Sequence, residues 1–107
     1  PLRSTTSVRA DHLEQVFLER SGGAFQVLLV FESAAGARER VRLSAPPGDD
    51  ASAVDFVSRY LERTGATLAK RPRLRIERGG SLSDAPDLLA RLVAAVAAHR
   101  RSDAESA

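Results

Sequence analysis

The stretch FQVLLVFE, residues 25–32, decides the fold of this chain. It is rich in aromatic and β-branched residues and is too short for a typical helix, so it predicts a strand. The side chains on one face are Phe25, Val27, Leu29 and Phe31, and the apolar residues on the other are Leu28 and Val30. A strand that is apolar on both faces is typical of the interior of a sheet.

The segments on either side of this strand predict its partners. Residues 38–44, RERVRLS, alternate, so Val41 and Leu43 point to the core and the arginines point away. The short connection between the two strands predicts a hairpin. Residues 11–20, DHLEQVFLER, fit two interpretations. Asp11 and Glu14 resemble a helical capping box, whereas a strand would lead into a hairpin loop at residues 21–24 and continue an apolar face through Leu13 and Phe17. The strand is the favoured interpretation.

Two amphipathic helices and a fourth strand complete the prediction. Residues 53–64 form a helix with possible N-caps at Asp49, Asp50 and Ser52 and a C-cap at Gly65. A second helix begins at Asp84 and runs to about residue 101. Their predicted core positions are Val54, Val57, Leu61, Leu88, Leu89, Leu92, Val93 and Val96. Residues 71–78, RPRLRIER, predict a strand with Leu74 and Ile76 pointing inward.

The predicted fold is therefore α+β. Its order is β-β-β-α-β-α, with a small antiparallel sheet of three to four strands packed against two helices. A chain of 107 residues has room for one domain, placed at residues 8–101, with flexible ends at 1–7 and 102–107.

The composition argues against several classes of function. There is no cysteine, and the two histidines lie far apart without a metal-binding pattern. The adjacent acids Asp49 and Asp50 are explained by helix capping. No nucleophile motif or phosphate-binding loop is present, so we expect no enzyme activity, no cofactor and no catalytic or metal-binding residues. The apolar runs are too short to span a membrane and no signal peptide is evident, so a cytoplasmic protein is predicted.

Basic residues define the first candidate surface. Arginine far outnumbers lysine, which a GC-rich, bacterial-like coding sequence would also produce. Residues 70–78 nevertheless carry five basic residues and one acidic residue. If the third and fourth strands are neighbours, one face gathers a candidate anion-binding or partner-binding set: Arg40, Arg42, Lys70, Arg71, Arg73 and Arg75. Such a face is either merely solvated or binds nucleic acid, an acidic protein or a lipid headgroup.

Apolar residues define the second candidate surface. If both helices cover the face of Phe25, the opposite face exposes a candidate interface: Val16, Leu18, Leu28 and Val30. Either a helix covers each side of the sheet, or this face binds a protein partner or a second copy of the chain. The sequence thus predicts a non-catalytic interaction module, adaptor or regulatory, that self-associates. A nucleic-acid-binding domain with an arginine-rich strand face is the alternative.

Overall fold

A five-stranded sheet and two helices form the protein, and the computed structural model describes residues 12–33 and 35–106. The elements are β1 (His12–Ser21), β2 (Ala24–Glu32), β3 (Arg38–Ala45), α1 (Asp50–Thr64), β4 (Thr67–Arg78), β5 (Ser81–Asp84) and α2 (Pro86–Ser106). The predicted α+β class is confirmed. The predicted end at residues 1–7 lies outside the described residues, and α2 continues beyond its predicted end near residue 101.

The strand order of the sheet is β3-β2-β1-β4-β5. β1 pairs antiparallel with β2 and parallel with β4, so the sheet is mixed. The predicted antiparallel sheet of three to four strands is wrong in these two details. β5 was missed because its sequence, SLSD, has a single apolar residue and hence no alternation that would indicate a strand.

The parallel pairing follows from the path of the chain. β3 is antiparallel to β2, which is antiparallel to β1, so β3 runs in the same direction as β1 and β4. Parallel strands require a long crossover connection, and α1 supplies it between β3 and β4. The crossover carries the chain past β2 and β1, which leaves β3 at one edge of the sheet.

The segment that fitted both a helix and a strand is β1, so the strand interpretation is confirmed. Ser21 pairs with Ala24, and the two-residue loop between them has positive φ at Gly22 (59°) and Gly23 (87°). Glycine is favoured here because both loop positions of this hairpin turn lie in the left-handed region. Asp11, the proposed capping residue of the helical interpretation, lies outside the described residues.

A register shift in β1 decides which of its side chains enter the core. The pairing with both neighbours is irregular between Leu13 and Gln15, so Leu13 and Val16 face the same side although they are three residues apart. Val16 and Leu18 are therefore core residues, 1% and 0% exposed, and their predicted position on the uncovered face is wrong. Phe17, predicted to share the face of Leu13, lies on the opposite face for the same reason.

Both helices pack on the face of the sheet that carries Phe25 and Leu29. The core positions on the helices are Ala53, Val54, Val57, Leu61, Leu92 and Val96, with Leu88 and Leu89 partly buried. Val93 was predicted to face the core but is 43% exposed, because it lies beside the packed stripe of α2. The predicted cap of α1 at Gly65 is confirmed, with a left-handed backbone and an N–H that donates to the Leu61 carbonyl.

Candidate interaction surface

The face of the sheet that points away from both helices is called the open face below. Its side chains follow from strand alternation and the register between strands. They include Gln15, Phe17, Glu19, Gln26, Leu28, Val30, Glu32, Arg38, Arg40, Arg42, Ser44, Arg73, Arg75, Glu77, Leu82 and Asp84. Of the four residues in the predicted interface, the open face contains Leu28 and Val30 only.

Apolar side chains occupy the centre of the open face. Leu28 pairs with Phe17 across β2 and β1, and both are half-buried. Val30 is only 6% exposed although it lies outside the core cluster, so its neighbours within the chain cover it. A groove of about 200 Å³ includes Phe17, Leu28 and the 41% exposed Leu82 among its lining residues. The accessible apolar surface is thus a narrow groove rather than a broad patch.

Charged residues flank this groove. Arg42 lies at its β3 end, whereas Glu19 and Glu77, on β1 and β4, lie between Gln26 and Leu82. The groove therefore has apolar side chains at its centre, a cation at one end and two acids between its β2 and β5 walls.

The predicted basic set does not form one patch. β3 and β4 are separated by β2 and β1, so Arg40 and Arg42 lie three strand spacings from Arg73 and Arg75. That separation is about 14 Å across the sheet. The condition for one patch, that the third and fourth strands are neighbours, is not met, because the crossover through α1 places β4 beside β1.

The two arginine pairs also differ in their ion pairing. Asp84 on β5 approaches Arg73 Nη2 to 3.1 Å and Arg75 Nε to 3.5 Å, so one carboxylate faces both guanidinium groups. Arg40 and Arg42 are exposed and form no ion pair within residues 12–33 and 35–106. The cationic charge of the open face that is available to a partner is therefore concentrated on β3.

Lys70 and Arg71 are exposed on a different part of β4. In the pairing of β1 with β4, Leu13 pairs with Leu68 and Gln15 with Arg73. Between these two pairs β1 has one residue, whereas β4 has four, residues 69–72. Lys70 and Arg71 belong to this unpaired stretch. The structure thus does not gather them with Arg40 and Arg42.

The acidic pair before α1 has structural partners. Asp49 is the N-cap, and its Oδ1 accepts hydrogen bonds from the Ser52 backbone N–H (2.8 Å) and hydroxyl (2.7 Å). These bonds hold the pKa of Asp49 below its usual value. Asp50 forms ion pairs with Arg78 and, at 3.8 Å, with Arg20. The interpretation of these acids as capping residues is confirmed for Asp49.

Sequence reasoning missed three residues of this surface: Phe17, Leu82 and Asp84. Phe17 was missed because the register shift in β1 has no signal in hydrophobic alternation. Leu82 and Asp84 were missed with β5, and Asp84 was taken as the start of a helix. The two glycines between β4 and β5 were a usable signal, since a two-residue Gly-Gly loop after a strand predicts a hairpin.

Within the described part of the chain, no cluster of three or more His, Asp or Glu side chains could hold a metal ion. None of the helices described is long and apolar enough to cross a bilayer. Comparisons of the chain with protein-family models, curated proteins and solved structures find no match.

Proposed function

We propose that this protein is a non-catalytic interaction module that binds an acidic protein partner through the open face. The observation that carries the proposal is that both helices pack on one face of the sheet, while the other face presents the groove beside Leu28 together with Arg40 and Arg42, which form no ion pair among the described residues. An apolar groove with Arg42 at its end and Arg40 on the same strand suits a partner segment that combines aliphatic and acidic residues. A cytoplasmic location stays a prediction.

The open face supports a protein partner better than a phosphate backbone. Its acidic side chains Glu19, Glu77 and Asp84 lie among the basic ones, and acids repel phosphates. A protein surface can match both signs of charge, because it can offer acids to Arg42 and bases to Glu77.

Titration of the labelled protein with an eight-residue peptide that alternates Glu and Val tests the proposal. We expect backbone amide signals of β1, β2 and β3 to shift in NMR spectra, and Leu28→Asp to weaken binding about tenfold or more, because it places a carboxylate in the groove. Val93→Asp is the control, since it introduces the same charge at an apolar position of α2, away from the open face. Shifts confined to the helices, or no shift at all, would contradict the proposal.

Self-association is the alternative that a second experiment with the same variants tests. Of the four residues predicted to form a dimer interface, two are in the core and Val30 is covered, so Leu28 is the remaining test position. Light scattering with size-exclusion chromatography measures the mass of the wild type and of Leu28→Asp. A dimer that Leu28→Asp dissociates, and that Val93→Asp does not, would replace the acidic partner with a second copy of the chain.

One observation favours nucleic acid as a second candidate. Phe17 lies on the open face next to Leu28 and pairs with Arg75, so an aromatic ring is available for base stacking beside arginines. Four arginine contacts to a single-stranded oligonucleotide predict a log-log salt dependence of about −3. Arg40→Gln with Arg42→Gln halves that slope if all four contribute equally. Absence of binding at low salt rules this candidate out.

A further inference from the structure

We propose that the acidic partner segment adds to the free edge of β3 as a sixth strand. This inference rests on the proposed function and specifies how the partner binds. β3 pairs with β2 over all eight residues Arg38–Ala45, without a register shift, and in the described part of the chain no strand pairs with its other side. Half of its backbone N–H and C=O groups therefore point away from the sheet along about 26 Å of edge.

The two edges of the sheet differ in their suitability for strand addition. The opposite edge strand, β5, has four residues, Ser81–Asp84, which is short for a template. β3 contains no proline and no bulge, the two devices that most directly prevent pairing. Because β3 is long and regular and has only β2 as a neighbouring strand among the described residues, it is the better template for an extended segment.

The side chains of β3 define what that segment looks like. On the open face β3 presents Arg40 and Arg42, exposed and without an ion pair among the described residues. On the other face Val41 and Leu43 pack against the core but stay half-buried, because the sheet ends beside them. An added strand with acids on one face and aliphatic residues on the other would neutralise the arginines and bury the rest of Val41 and Leu43.

This pattern disfavours a second copy of β3 as the added strand. In an antiparallel pair of two β3 strands centred on Val41, Arg40 of each copy lies opposite Arg42 of the other. Centring on Arg40 or on Arg42 places that arginine opposite itself. Centring on Leu43 avoids both arrangements but pairs only residues 41–45 of each strand. Like charges directly opposite each other destabilise a strand pair. A nucleic acid has no peptide groups to continue the ladder, so an acidic peptide is the occupant that satisfies both the backbone and the side chains.

The test measures fluorescence anisotropy of a labelled eight-residue peptide that alternates Glu and Val. Two further peptides carry N-methyl groups on either the Glu or the Val backbone nitrogens. For a given strand direction only one set of alternate N–H groups faces β3, so we expect one methylated peptide to lose binding at least tenfold and the other to bind like the parent. A shift of register by one residue turns the acids to the wrong face, whereas a reversed strand presents the other set of N–H groups to β3. A peptide methylated on both the Glu and the Val nitrogens should therefore lose binding in either direction.

Charge reversal tests the side-chain part of the proposal. Arg40→Glu with Arg42→Glu should weaken binding of the Glu-Val peptide about tenfold or more and create binding of a Lys-Val peptide of equal length. Arg63→Glu with Arg91→Glu is the matched control, because it changes the net charge equally on exposed positions of α1 and α2. Circular dichroism verifies that each variant is folded.

The outcomes separate this inference from the proposed function. Parent-like binding of the fully methylated peptide, with binding still weakened by Leu28→Asp, means that the segment lies on the open face and does not extend the sheet. The proposed function then stands and the inference is wrong. If the wild type binds none of the peptides, both are wrong, and the arginines of β3 serve only to protect the edge from aggregation.

Discussion

Leu18 and Leu28 form a natural pair for testing which face of the sheet is the core. They lie on the adjacent strands β1 and β2, where Leu18 pairs with Val27 and Phe17 with Leu28. Leu18 is 0% exposed beneath the helices, whereas Leu28 is half-buried on the open face. Substituting each by Ala removes the same atoms from two different environments.

The expected costs differ severalfold. Leu18→Ala removes a fully buried side chain and leaves a cavity, which lowers the free energy of unfolding by about 3 to 4 kcal/mol. Leu28→Ala removes a half-buried side chain with solvent at hand to fill the space, so the loss is about 1 kcal/mol. For a domain of this size these losses lower Tm by about 15 to 25 °C and about 5 °C.

Urea denaturation followed by circular dichroism gives both free energies, and thermal denaturation gives the two values of Tm. The far-ultraviolet spectra of the folded variants should match the wild type, which shows that the comparison concerns stability alone. If Leu28→Ala costs as much as Leu18→Ala, the open face is buried by a second copy or the register of β1 is wrong. Repeating the measurement at a hundredfold lower protein concentration distinguishes these two causes.

Three further predictions concern single interactions. Asp49→Ala lowers Tm because α1 loses its cap, whereas Asp49→Asn keeps the cap. Because folding lowers the pKa of Asp49, the stability that its charge adds is complete above the ordinary pKa of 3.8 and is lost as pH falls through the pKa of the folded state. Denaturation between pH 2 and 6 should show that Asp49→Asn lacks this contribution to the pH dependence of stability. Gly65→Ala costs about 1 kcal/mol in urea denaturation, since the residue has φ 76°. Asp84→Asn costs less than about 1 kcal/mol, because its partner Arg73 and the carboxylate itself are more than half exposed.

Local patterns were sufficient to predict most of the elements. β2 and β3 follow from apolar and alternating runs, and α1 follows from a stripe of aliphatic residues between Asp49 and Gly65. In each case the signal and the structure involve the same residues, because alternation and capping are properties of neighbouring positions. The core positions on these elements were predicted correctly for the same reason.

The candidate interface could not be predicted in full because it depends on one extra residue in β1. Beyond Glu14, every side chain of β1 faces the side opposite to that expected from regular alternation starting at Leu13. As a result, Val16 and Leu18 lie in the core and Phe17 lies on the open face, the reverse of the prediction. A bulge leaves the residues of the strand unchanged and alters only the face to which the side chains after it point, so neither composition nor periodicity indicated it here.

The strand order has the larger consequence for function. A strand, a helix and a strand in succession favour parallel strands, so the sequence order itself supported a mixed sheet. The sequence order could not show that the crossover from β3 passes both β2 and β1, so that β4 pairs with the far side of β1. That step separates two arginine pairs that are similar in sequence and gives them different environments. Arg73 and Arg75 meet Asp84 because β5 folds back beside them, whereas Arg40 and Arg42 stay at an edge with no partner in the described residues. Two arginine pairs of similar sequence thus differ in available charge because of topology alone: Arg73 and Arg75 share the carboxylate of Asp84, and Arg40 and Arg42 do not.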